Sequence, residues 1–139
     1  MEEKPAMEVS ATYDITAFTV AVQISVNLDQ GTFYAAPFLL NRGTWTVTWT
    51  LLPGDSAQFD PTDGITFNNL PASGNVRITS SALASPTSWV ATIENRLTSN
   101  ANAFNYDADI ISAPNGPRLT QVFDPTIAVT SDPIPPDGV

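Results

Sequence analysis

Residues 18–28, FTVAVQISVNL, place Phe18, Val20, Val22, Ile24, Val26 and Leu28 on one side of an extended chain and Thr19, Ala21, Gln23, Ser25 and Asn27 on the other. Successive side chains of a strand point to opposite faces, so this alternation predicts a strand with one oily and one wet face. Residues 44–51, TWTVTWTL, repeat the pattern: Trp45, Val47, Trp49 and Leu51 are expected to be buried, and Thr44, Thr46, Thr48 and Thr50 to face water or a partner. Upstream, Val9, Ala11, Tyr13 and Ile15 alternate on odd positions, and the parity flips before Phe18 with no Gly, Pro or Asn between them. That flip predicts a bulge, or a strand crossing between sheets, near Thr16 and Ala17.

Turn residues punctuate the rest. Asp29, Gln30 and Gly31 lead into residues 32–40, TFYAAPFLL, where Pro37 argues for an edge or a bulge. Asn41, Arg42 and Gly43 predict a tight hairpin into the tryptophan strand, with positive φ at Gly43. Further strands are expected at residues 65–68, 75–80, 88–95, 103–112 and 119–130. About eight or nine short strands and almost no helical periodicity predict an all-β, antiparallel β-sandwich of immunoglobulin-like or jelly-roll type, with a closed barrel as the alternative. Residues 8–130 read as a single sandwich domain, residues 1–7 as a mobile N-terminal tail, and residues 131–139, SDPIPPDGV, as a Pro-rich C-terminal tail able to lie along an edge strand.

Composition narrows the chemistry. The net charge is −9 over 139 residues, and the five basic residues are scattered, so phosphate backbones and anionic membrane surfaces are disfavoured partners. There is no cysteine and no histidine. Thiolate chemistry, the commonest general base and the commonest transition-metal ligand are all missing, and no nucleophile-elbow or phosphate-loop motif compensates, so the chain reads as non-enzymatic. No basic segment followed by an apolar stretch opens the sequence and no apolar run is long enough to span a bilayer. The expectation is a soluble cytoplasmic protein.

Two acidic groups are the candidate metal ligands. Asp55, Asp60 and Asp63 lie within one turn-rich loop, though not at EF-hand spacing. Asp107 and Asp109 stand two apart in a strand, their carboxylates about 7 Å apart on one face, a span that a calcium ion can bridge. The tetrapeptide FDPT occurs at residues 59–62 and again at 123–126. The plain account is local: an aspartate before proline accepts hydrogen bonds from the next backbone N–H groups while the phenylalanine anchors the corner. A glycosidase would need two carboxylates across a cleft, and nothing in the sequence builds one.

Residues 32–40 are apolar on both faces, so Phe33, Tyr34, Phe38 and Leu40 are the candidate interface, needing cover from a tail, another subunit or a ligand. The threonine row invites an ice-binding reading, but no repeat supports it. Tryptophans stacked on a sugar are the other alternative to burial. The many short strands and the late DPTI ahead of a proline-rich end resemble small bacterial β-sandwich proteins of unassigned role. The sequence therefore predicts a non-enzymatic, β-sandwich binding or assembly module acting on a protein partner or on itself, and as the alternative a carbohydrate-binding module or lectin, calcium-dependent if the acidic clusters hold metal.

Overall fold

The computed structural model describes residues 11–52, 57–71, 74–97, 101–113, 116–122 and 125–130. The tails at 1–7 and 131–139, Asp55, and Phe123 and Asp124 of the second FDPT lie outside the described residues. Among the described residues there are thirteen strands: β1 (Ala11–Asp14), β2 (Thr19–Asn27), β3 (Thr32–Ala35), β4 (Phe38–Leu40), β5 (Gly43–Leu52), β6 (Gln58–Phe59), β7 (Ile65–Asn68), β8 (Val76–Ser85), β9 (Ser88–Asn95), β10 (Ala101–Ala108), β11 (Ile110–Ile111), β12 (Thr120–Gln121) and β13 (Thr126–Thr130). The count exceeds the expectation because three predicted strands are each broken in two, at Ala36–Pro37, at Asp109 and between Gln121 and Thr126, and because β6 carries too little pattern to be seen.

The large sheet runs β12-β3-β2-β5-β9-β8, with β1 also on β2; a second runs β4-β13-β10-β7, and β6 pairs with β11. The protein is all-β in several sheets, but the expected purely antiparallel order is corrected. β2 and β5 are parallel, as are β3 with β12 and β4 with β13. Parallel neighbours need a crossover, and here the crossover is β4. After the β2–β3 hairpin, whose Gly31 has φ +68, the chain leaves the large sheet at Ala36–Pro37, adds β4 to the second sheet, and returns at Asn41–Gly43 as β5 beside β2. The predicted β4–β5 hairpin is thus a change of sheet. Gly43 does have positive φ, +146, and a Cβ there would meet the Phe18 ring at 2.6 Å.

The parity flip after Ile15 has a different cause from the one expected. β1 and β2 form an antiparallel hairpin, Ala11 opposite Val22 and Asp14 opposite Thr19. Asp14 Oδ1 accepts the N–H groups of Thr16 and Ala17, both at 3.1 Å, and Phe18 closes the turn at φ +57. A side-chain acceptor replaces the missing turn glycine.

The inner faces meet through aromatic rings. Trp49 on β5 lies 6.0 Å from Phe38, 5.3 Å from Tyr106 and 6.1 Å from Phe67, all on the second sheet. Trp45, Trp49 and Trp89 are buried, as the alternation predicts. Tyr106 donates to Ala36 O at 2.6 Å, and its burial pushes the phenol pKa up. The Trp49 indole N–H is near enough to oppose that rise, yet not in hydrogen-bond geometry, and is unsatisfied among the described residues. Among these residues no helix is long and apolar enough to cross a membrane.

Candidate functional site

The acidic residues do come together, but around an arginine. Asp60 Oδ1 accepts the N–H groups of Thr62 (2.8 Å) and Asp63 (2.9 Å), the local turn expected of Asp-Pro. Its Oδ2 accepts from Arg118 Nη2 at 3.1 Å, while Arg118 Nη1 donates to Asp109 Oδ1. Backbone bonds hold the geometry: the Asp60 N–H donates to Asp109 O and the Asp109 N–H to Gly64 O, both at 2.9 Å. The N–H groups of Asp63 and Thr62, and then Arg118, hold the Asp60 carboxyl below its ordinary range. Arg118 in turn is raised, first by its hydrogen bond to Asp60 and then by the charge of Asp109.

Asp107 and Asp109 are not in one strand: β10 ends at Ala108, and Asp109 falls between β10, paired with β7, and β11, paired with β6. Asp107 accepts from Asn68 Nδ2 at 2.6 Å and from Gln121 Nε2 at 3.0 Å. Asp63 contributes its backbone to the Asp60 turn and remains exposed. Among the described residues no three groups of metal-ligating type converge. Asp60, Asp107 and Asp109 spend oxygens on internal donors, and Arg118 staples Asp60 to Asp109. The first FDPT is part of this staple, with Phe59 buried 6.1 Å from the Trp89 ring.

Of the candidate interface residues, Phe33, Phe38 and Leu40 are buried in the core and Tyr34 is half-buried. The run is apolar on both faces because it serves two sheets. Phe33 points inward from the large sheet and Phe38 and Leu40 point inward from the second, with the change of sheet between them. These three side chains cannot line a free surface.

What remains outward is a neutral field. Across β2, β5, β9 and β8 one row reads Thr19, Thr46, Thr92 and Ser80; the next reads Ala21, Thr48, Val90 and Ala82. A third reads Gln23, Thr50 and Ser88. Neighbouring strands are about 4.8 Å apart and outward residues of one strand about 7 Å apart, so hydroxyls and methyls form a grid. Its charged borders are the Arg77–Glu94 pair at 3.2 Å and, on β1, Asp14 opposite Thr19. At the β1 side the face sinks into a hollow of about 300 Å³ lined by Thr12, Tyr13, Asp14, Thr19, Val20, Ala21 and Thr48. The threonine row of β5 was legible in the sequence; its neighbours became part of a surface only through register.

No family model and no curated protein matches the chain in sequence. Among solved structures, the chain is similar at a TM-score of 0.38 and 9% identity to the cysteine protease inhibitor EhICP2 from Entamoeba histolytica, over 79% of this chain and 93% of that one.

Proposed function

We infer that this protein is a non-enzymatic, sandwich-like binding or assembly module whose working surface is the outer face of the large sheet. One observation carries the reading: in a chain of net charge −9, the three rows from β2 to β8 hold no charged side chain. It is the broad face on which two copies meet without setting like charges together, so the partner is a second copy of the chain. Sedimentation equilibrium tests this. Self-association that Thr48→Glu weakens at least tenfold, with the melting curve retained, supports the reading; a monomer at every concentration, or association indifferent to Thr48→Glu, ends it.

Carbohydrate binding is the second reading, favoured by the hollow beside Thr12, Ala21 and Thr48. Hydroxyls, an aromatic ring and a carboxylate at its rim are groups that sugars use. A glycan array with Thr48→Trp, which fills the hollow, as the control separates the two.

A further inference from the structure

A second surface, which shares Tyr13 with the rim of the hollow, lies where β13 ends. Tyr13, Phe18 and Leu39 are exposed there at 41%, 36% and 44%. Tyr13 and Phe18 flank Trp45, their rings 6.1 and 5.1 Å from the indole, and the Leu39 N–H donates to the Tyr13 hydroxyl oxygen at 2.9 Å. Phe18 holds its ring over Trp45 at the cost of a left-handed backbone, φ +57, which bulky residues seldom adopt. Exposed aromatic side chains gathered beside one buried indole form an apolar patch that a ligand can cover.

The cations point the same way. Arg77 pairs with Glu94 and Arg118 with Asp60 and Asp109. Arg42 and Arg96 are exposed and form no ion pair with any described residue. Arg42 precedes Gly43, which abuts Phe18, and Arg96 follows Asn95, the strand partner of Gly43.

We propose that this aromatic and basic cluster docks residues 131–139 of the same chain. Asn95 Nδ2 donates both to Thr130 O at 2.9 Å and to Asn41 O at 3.0 Å, and Asn41 O accepts from the Trp45 indole at 3.0 Å. The segment therefore starts beside the cluster. Four extended residues cover about 14 Å, which brings Ile134 within reach of Phe18. Its sequence, SDPIPPDGV, complements the surface: Ile134 between Pro133 and Pro135 suits aromatic rings, as proline-rich ligands generally do, and Asp132 and Asp137 suit Arg42 and Arg96.

Methyl NMR on the full chain decides this. Expected are cross-peaks from the Ile134 methyls to Phe18 and Tyr13 ring protons, ring-current shifts of those methyls, and loss of both in Phe18→Ser. Asp132→Lys is expected to weaken the cross-peaks while core methyls such as those of Ile93 stay in place. Ile134 methyls at random-coil shifts without cross-peaks overturn the proposal. So do cross-peaks found only between chains in a mixed-label sample, which assign the site to the segment of a second copy. The unaltered chain suffices to uphold or overturn the docking, whatever the variants do to folding.

Discussion

Asp60 shows how one side chain is used twice, as turn cap through Oδ1 and as the partner of Arg118 through Oδ2. Its folded pKa lies below the ordinary value because its bonded partners favour the charged form. The stabilisation is therefore complete above the unfolded value of about 3.9 and is lost as pH falls through the lower folded value. Thermal melts between pH 5 and pH 2 should show an acid limb that is shallower in Asp60→Asn, which keeps the cap but cannot ionise. Gly64 closes the same loop. A Cβ there would fall 2.5 Å from Trp89 Cε3 and 2.9 Å from Asp60 O. Gly64→Ala should cost about 1–3 kcal/mol in denaturant unfolding, as forced overpacking does. The aspartates were visible in the sequence; their partner was not, because Arg118 is 58 residues from Asp60 and no local rule joins them.

At the scale of the element, β4 is the decisive strand. Three residues long, it pairs with β13 on one side, while on its free edge Tyr13 accepts the Leu39 N–H. Both ends of its excursion are pinned by buried side chains: Tyr106 donates to Ala36 O at the exit, and Asn95 donates to Leu40 O and Asn41 O at the return. Asn95 also reaches Thr130 O and accepts the Leu97 N–H. Removing it takes a donor from the Leu40, Asn41 and Thr130 carbonyls and the acceptor from the Leu97 N–H, so Asn95→Ala should cost about 2–3 kcal/mol, read from the urea midpoint. The crossing itself had a trace in the sequence, Pro37 and the double apolarity of residues 32–40. Pro37 suggested an edge or a bulge and the apolar faces suggested an interface, whereas a strand that changes sheet satisfies both signals at once.

At the scale of the whole molecule, charge offers a test of the proposed self-association. Two chains of net charge −9 repel over a distance set by salt. Raising ionic strength from about 0.01 M to about 0.1 M shortens the screening length from about 30 Å to about 10 Å. Self-association through the neutral face should therefore strengthen with salt in sedimentation experiments, whereas contacts between opposite charges would weaken. The alternation of residues by itself determined the all-β class, the inward tryptophans and the outward threonines, because a strand's period of two is a property of its own backbone. Turn residues marked the β2–β3 hairpin as well, since Gly31 acts locally. Which strands became neighbours was decided only in three dimensions. Parallel pairing of β2 with β5, the gathering of Asp60 and Asp109 on Arg118, and the neutral grid all depend on contacts between distant segments. Such contacts are chosen by how the sheets close over one shared core, and no stretch of the chain encodes that closure alone.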